Sequence, residues 1–236
     1  MIKIFINPGK FINFANFVIK PLIFISIISF IIGLIFALYV SPDDYQQGST
    51  VRIMYIHVPS AWIGLASFSL IALLSILNFV FKIKNFYLIN KSLAPIGLLF
   101  TSLAIITGSL WGQPTWGTWW VWDARIVSMM ILMFFYILYI MSFKFIKKEE
   151  ILLKVSSLIA IFGSINIFVV KYSVDWWATL HQPASVKLNS STTIHSSMMF
   201  PLILMLLAFL LYSALIFLMK YKTEIIRMKK KNIKRL

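Results

Sequence analysis

The sequence predicts an all-α integral membrane protein with six transmembrane helices. Three observations support this prediction: 60% of the 236 residues are hydrophobic, only 12% are charged, and the mean hydropathy is +0.89. A soluble domain has about a quarter of its residues charged. Because the bilayer core offers no water to backbone polar groups, apolar runs of about 20 residues cross it as helices.

Six apolar runs are long enough to cross a bilayer. The first ends in Ser-Pro-Asp-Asp, and its full length favours a retained span over a cleaved signal peptide. None of the runs alternates in the manner of a barrel strand. Residues 1–236 are therefore predicted to form a single six-helix membrane domain, with a basic tail at 220–236. The predicted spans lie near residues 21–40, 60–81, 92–110, 124–143, 151–170 and 198–219.

Local signals mark where three of these helices begin. Pro59 lies just before the second run, and proline favours the first turn of a helix. Asp123 precedes the fourth run and predicts an N-cap, because its carboxylate can accept bonds from free backbone N–H groups. The sixth run follows a polar stretch in which Thr193, Ser196 or Ser197 can provide the N-cap.

Basic residues distinguish the two ends of the predicted bundle. All but four of the 22 lysines and arginines lie near the termini or around the 82–91 and 144–150 connections. The positive-inside rule therefore places both termini in the cytoplasm, or in the matrix of an organelle. This topology explains the net charge of +15, so we expect the lipid bilayer as a partner and no nucleic acid. The tail is interpreted as an anionic-lipid anchor or as a docking segment for a cytoplasmic partner.

The opposite, outer end carries the unusual residues. All three histidines, His57, His181 and His195, fall in or beside its connections. Two tryptophan-rich stretches fall there too. Residues 111–125 read Trp-Gly-Gln-Pro-Thr-Trp-Gly-Thr-Trp-Trp-Val-Trp-Asp-Ala-Arg, and residues 173–183 read Ser-Val-Asp-Trp-Trp-Ala-Thr-Leu-His-Gln-Pro. Because these residues are scattered in sequence but share one face of the membrane, they predict a site there.

The first stretch is predicted to bind a large, flat, apolar ligand. Tryptophan is common in belts at the membrane interface, and such a belt is the simpler interpretation. A belt needs one or two tryptophans at each helix end, whereas this stretch offers broad aromatic faces with glycines between them. Its five tryptophans are Trp111, Trp116, Trp119, Trp120 and Trp122.

His57 and His181 are candidate axial ligands of a haem iron. Imidazole is a common axial ligand, and two imidazoles from opposite sides would give a six-coordinate iron. The alternative is that each histidine is simply a polar residue at the interface. His195 is the weaker candidate, and we interpret it as an interfacial histidine without a ligand role.

Arg52 and Arg125 are candidate partners of the two haem propionates. Guanidinium groups bind carboxylates through paired hydrogen bonds, although contact with phospholipid headgroups is an alternative for each arginine. Asp123 can combine its capping role with shaping the site. The absence of cysteine excludes a thioether bond to this chain, so the expected cofactor is non-covalent haem b.

The 111–125 stretch resembles the signature of the tryptophan-rich (WWD) superfamily of haem-handling membrane proteins. Within that superfamily, six spans in about this length resemble the cytochrome c maturation protein C family, also called haem exporter protein C. The 173–183 stretch resembles the last outer loop of that family. The resemblance covers roughly residues 20 to 220.

The resemblance implies a function in c-type cytochrome biogenesis, in which haem is held on the outer face and passed to a periplasmic haem chaperone. It implies that His57 and His181 are the axial ligands and that Arg52 and Arg125 are basic residues beside them. The implied haem platform comprises Trp111, Trp116, Trp119, Trp120, Trp122 and Asp123. The implied partners are the ATPase and membrane subunits of an ABC transporter and a small membrane accessory protein.

No enzymatic activity is expected, because the sequence contains no P-loop, H-E-x-x-H or G-x-S-x-G motif. The expected location is the bacterial inner membrane with the site facing the periplasm, or alternatively the mitochondrial inner membrane. Three other functions stay open. The chain could move haem across the bilayer, serve as a structural subunit of an ABC complex, or be a haem-to-cytochrome synthetase, although synthetase chains of this superfamily are longer.

Overall fold

A computed structural model describes residues 7–81, 86–183, 186 and 194–233. Over these residues the protein is a bundle of six long helices without a strand, which confirms the predicted all-α fold. All six helices are long and apolar enough to cross a membrane. They are α1 (Pro8–Ile35), α2 (Met54–Phe81), α3 (Phe86–Trp116), α4 (Ala124–Phe145), α5 (Glu149–Trp176) and α6 (Ser196–Ile233). Outside the described residues lie Lys3, Lys82, Lys84, Lys187, Thr193, Lys234 and Arg235.

The first helix begins well before the predicted span. The side-chain oxygen of Asn7 accepts hydrogen bonds from the backbone N–H groups of Gly9 and Lys10, at 3.0 and 3.1 Å. This cap starts α1, and Pro21 lies inside the helix rather than at its beginning. A π-helical turn at Phe36–Val40 continues α1 toward the outer end.

The last helix continues through most of the region predicted as a separate basic tail. Tyr221 and Ile225 are only 2% and 1% exposed. The ring of Phe11 in α1 meets the ring of Tyr221 edge-on, with 4.6 Å between their centroids. The apolar face of this segment therefore packs against α1, and the segment stays helical although many of its other residues are basic.

Two further helices exceed their predicted limits at the outer end. Helix α3 ends at Trp116, so Trp111 and Trp116 lie on its last turns instead of in a loop. Helix α5 ends at Trp176, so the first four residues of the second tryptophan-rich stretch are also helical. Both helices therefore carry aromatic residues beyond the predicted spans.

Helices α2 and α3 form the centre of the bundle. They pack along each other, α4 and α5 cover one side, and α6 covers the other and holds α1 against the outside. Buried polar side chains join neighbouring helices. The Tyr136 hydroxyl donates to the Gly64 carbonyl at 2.7 Å, and the Asn166 amide donates to the Ser128 carbonyl at 2.8 Å. Such interhelical bonds contribute about 1 kcal/mol each in a membrane.

Close packing of α3 against α4 predicts that Gly97→Ala is destabilising. A Cβ atom at Gly97 would overlap the phenol of Tyr136. Overpacking of this kind costs about 1–3 kcal/mol, which circular dichroism during heating of the detergent-purified protein would detect as a lower melting temperature. Gly9→Ala is the control, because its Cβ would meet only an Asn7 oxygen at 3.5 Å. Equal melting temperatures for the two variants would contradict the packing described here.

Candidate functional site

A cavity of about 820 Å³ lies at the outer end of the bundle, away from the lysine-rich connections. Cavities that hold small molecules usually measure about 300–1,000 Å³, so this one suits a large ligand. Helices α2 to α6 contribute to its walls, and residues 42–47 cover part of it. The cavity brings together seven of the residues considered above: His57, Trp111, Trp116, Trp119, Arg125, His181 and His195.

His57 lies in the first turn of α2 and contacts α3. Its Nδ1 atom is 2.9 Å from the carbonyl oxygen of Ala104 and 3.2 Å from the hydroxyl of Thr107. Because a carbonyl only accepts, Nδ1 carries the proton and Nε2 keeps its lone pair in the neutral ring. Histidines that bind metals commonly donate their other ring N–H to such a carbonyl.

His181 has the same arrangement, although it lies in the connection between α5 and α6. Its Nδ1 atom donates to the carbonyl oxygen of Gln182 at 2.7 Å, which again leaves the Nε2 lone pair free. Burial, and then the nearby Arg125 guanidinium, lower the pKa of His181 below its usual value. The ring therefore stays neutral at physiological pH, which is the form that binds a metal ion.

The two imidazole rings are spaced as two ligands of one metal ion would be. The ring centroids of His57 and His181 are 6.4 Å apart, and their planes are inclined by 37°. An imidazole nitrogen binds a metal ion at about 2 Å, so rings on opposite sides of one ion have centres roughly 6 Å apart. The pair thus fits axial ligation of a haem iron from both sides.

His195 lines the cavity but has the opposite proton arrangement. Its Nδ1 atom is 2.7 Å from the Ser197 hydroxyl and accepts the Ser197 backbone N–H at 3.3 Å. In the neutral ring the proton then lies on Nε2, which has no lone pair to give a metal. His195 immediately precedes α6, whereas Ser196 and Ser197, predicted as possible caps, lie within its first turn.

Three of the five clustered tryptophans line the cavity. The ring of Trp111 meets the His57 ring edge-on at 5.8 Å, and the ring of Trp116 lies 6.5 Å from His181. Trp119 also lines the cavity and is 59% exposed. Aromatic rings therefore flank both histidines, and a third ring in the cavity wall, that of Trp119, is accessible from outside.

The structure places the remaining members of the predicted platform beside the cavity. Trp120 and Trp122 are not among its lining residues, and their rings contact each other at 5.6 Å. Asp123 does not line it either. The Asp123 carboxylate accepts the Ile126 backbone N–H at 2.9 Å, which confirms the predicted cap of α4. The predicted platform is thus divided into a cavity wall and a neighbouring aromatic pair.

The two arginines have different positions. Arg125 lines the cavity, and one of its guanidinium nitrogens donates to the carbonyl oxygen of Val170 at 2.8 Å. Arg52 does not line the cavity. Its guanidinium pairs with the Asp43 carboxylate at 2.9 Å and donates to the Leu38 carbonyl at 2.7 Å. The sequence suggested that Arg52 would lie at the ligand site and bind a propionate. The structure instead places its guanidinium against Asp43 and the Leu38 carbonyl, outside the cavity wall.

Two glycines and one glutamine were missed by the sequence reasoning. A Cβ atom at Gly108 would lie 3.0 Å from the His57 ring, and one at Gly112 would lie 2.9 Å from the Trp116 ring. Their four-residue spacing is typical of close helix contacts in membranes and could have indicated this role. Gln47 accepts the indole N–H of Trp111 at 2.8 Å, a contact for which the sequence offers no signal.

The chain is similar to several known proteins over most of its length. The model of a family described as Heme exporter protein C matches residues 1–235. The Heme exporter protein C of Bradyrhizobium diazoefficiens is 38% identical over 94% of this chain and 84% of its own length. A putative cytochrome c biosynthesis ccmC-like mitochondrial protein of Marchantia polymorpha is 40% identical over 80% of each chain. The Heme exporter protein C of Escherichia coli K12 is 35% identical over 95% of this chain and 90% of its own.

The capping role of Asp123 predicts different effects for two substitutions. Asp123→Ala removes the acceptor and should lower the free energy of unfolding by about 1 kcal/mol. Asp123→Asn keeps an oxygen that can cap α4 and should retain most of that stability. Chemical unfolding in mild detergent, followed by circular dichroism, would measure both. An equal loss in the two variants would show that the carboxylate charge matters more than the cap.

Proposed function

The chain belongs to the Heme exporter protein C family, and from this premise we propose that it holds haem in the outer-end cavity and delivers it to a haem chaperone. It is a multi-pass protein of an inner membrane that handles haem in c-type cytochrome biogenesis. The name of the family describes a transport component and no catalytic reaction. Haem is therefore the cargo of the protein rather than a resident catalytic cofactor.

The observation that carries the proposal is the matched pair of histidines. His57 and His181 each donate from Nδ1 to a backbone carbonyl, and the spacing of their rings suits one metal ion. We propose that both bind the iron of a non-covalently held haem b. The chain has no cysteine for a thioether bond, so release breaks no covalent bond to the porphyrin ring.

The other residues of the cavity are proposed to contact different parts of the porphyrin. Trp111 and Trp116 flank the histidines and provide apolar contact near the iron. Trp119 is accessible and lies where an exposed porphyrin edge would rest. Arg125 is the cation at the cavity wall and is proposed to bind a propionate. Arg52 keeps a structural role.

The two ligands differ in how firmly they are held, which supports an order of release. The His57 ring is hydrogen-bonded to α3 within the bundle, whereas the His181 ring is hydrogen-bonded to its chain neighbour Gln182 in a connection. We propose that the chaperone approaches the exposed edge and displaces His181 first. By the positive-inside rule this end faces the periplasm, or the intermembrane space in a mitochondrion.

Carriage of haem across the bilayer is the alternative, and the family name describes an exporter. A second cavity at the lysine-rich end shares no lining residue with the outer cavity. This separation favours binding and delivery at one face. Because the sequence has no P-loop, any ATP hydrolysis would depend on a partner. We propose the ATPase and membrane subunits of an ABC transporter and a small membrane protein as those partners.

Absorption spectra of three histidine variants test the ligand assignment. The haem-loaded, detergent-purified protein should show the low-spin spectrum of bis-imidazole iron, oxidised and reduced. His57→Ala and His181→Ala should each lose that spectrum, because one axial ligand is removed. His195→Ala should keep it, since the Nε2 atom of His195 has no lone pair in the arrangement described. Equal loss in all three variants would refute the assignment.

Substitution of an accessible tryptophan tests the delivery step. Trp119→Ala should slow the transfer of haem to the chaperone by about tenfold, since a stacked aromatic ring contributes about 1 kcal/mol or more. Trp122→Ala is the matched control, because Trp122 is 78% exposed but does not line the cavity. Transfer can be followed by the appearance of haem on the chaperone. Equal transfer rates for the two variants would show that Trp119 has no role in delivery beyond that of a tryptophan at the membrane interface.

Substitution of Arg125, with Arg52 as the control, tests the proposed contact with a propionate. Arg125→Gln should weaken haem binding by about tenfold, because a hydrogen bond between charged groups contributes about 1.5–3 kcal/mol. The same substitution should weaken binding of haem dimethyl ester much less, since the ester has no carboxylate. Arg52→Gln should leave both affinities unchanged. Titration of apoprotein with each porphyrin gives the dissociation constants, and equal weakening of both by Arg125→Gln would exclude a propionate contact.

A further inference from the structure

A second cavity, of about 590 Å³, lies at the lysine-rich end between α3, α4 and α6. It shares no residue with the haem cavity and has no part in the proposed haem chemistry. Part of its lining is apolar and consists of Ala94 and Pro95 from α3, Ile140 and Phe143 from α4, and Met219 from α6. Met219 is exposed, so the groove is open toward the surrounding lipid.

Four cations and one carboxylate line this groove. Glu224 binds two of the cations: its carboxylate lies 2.6 Å from the Lys91 nitrogen and 2.8 Å from an Arg227 nitrogen. The Glu224 side chain is only 12% exposed, and its contact with Lys91 joins α6 to α3, whereas Arg227 lies one turn along α6. Lys144 and Lys220 also line the groove, and no carboxylate pairs with either among the described ion pairs.

The charge and the position of this groove fit one class of ligand. Lys144 lies in the last turn of α4 and Lys91 near the start of α3, so the cations lie where the helices leave the hydrocarbon. Basic pockets between transmembrane helices at this end bind anionic lipid headgroups. The apolar walls continue from the cations toward the membrane interior and offer a surface for an acyl chain. A soluble anion would use the cations but not these walls.

We propose that this groove is a specific site for an anionic phospholipid, such as phosphatidylglycerol or cardiolipin. The phosphate lies against Lys144 and Lys220, and one acyl chain follows the apolar wall beside Phe143. The ion pair between Glu224 and Lys91 holds α3 and α6 at the spacing that the lipid fills. The bound lipid therefore joins the α4 side of the bundle to α6. This site is independent of the proposed haem function.

Native mass spectrometry of the full-length protein, released from detergent micelles with added lipid, tests the site. Phosphatidylglycerol should bind with a stoichiometry of one and far more tightly than phosphatidylcholine. The double variant Lys144→Gln/Lys220→Gln should bind it at least about tenfold more weakly, because it removes both cations proposed to contact the phosphate. Lys229→Gln/Lys230→Gln is the matched control: it removes the same charge from α6 outside the groove and should bind normally.

Three outcomes would overturn the proposal. Equal weakening by the two double variants would show a diffuse attraction between lipid and the basic part of α6. Equal binding of phosphatidylcholine would show that the charges do not select the lipid. Full competition by inorganic phosphate or glycerol phosphate would show an anion site without a role for the apolar wall. Circular dichroism of each variant, with single Lys144→Gln as the milder substitution, excludes misfolding as the cause.

Discussion

The hydrogen bond from Nδ1 of His57 to the Ala104 carbonyl is the interaction on which the site depends. It joins the two central helices, α2 and α3, and it sets the tautomer in which Nε2 keeps its lone pair. In the other tautomer, the ring would present an N–H where a metal ligand is required. His181 repeats the arrangement through the Gln182 carbonyl. Both rings thus keep an Nε2 lone pair, as the proposed ligation of one iron requires.

This hydrogen bond is possible only because the helices approach closely. An added Cβ would meet the Thr101 hydroxyl at 2.6 Å if it were placed on Gly64, and the His57 ring at 3.0 Å if it were placed on Gly108. Small residues therefore let the α2 and α3 backbones come together, and the imidazole lies against a helix carbonyl in the gap. Gly112, one turn beyond Gly108 on α3, leaves room for the Trp116 ring in the same way.

The sequence was sufficient for the six helices, since the bilayer excludes most other structures for long apolar runs. It was insufficient for their ends, because Tyr221 and Ile225 lie among lysines and are buried through contacts with α1 and the start of α3. The histidine pair and the tryptophan stretch were predicted from their residue types. The sequence did not predict the tautomer of His57, because it depends on a contact between residues distant in the chain. It did not predict the ion pair between Arg52 and Asp43 either, because that pair depends on the fold of a loop.

The central claim is that one haem iron lies between His57 and His181. Cryo-electron microscopy of the haem-loaded, full-length protein in lipid nanodiscs would test it most directly. The account predicts iron density between the two Nε2 atoms, with the porphyrin edge reaching the surface beside Trp119. Iron bound through His195, or haem located in the lysine-rich groove while the histidine pair remains without metal, would contradict it.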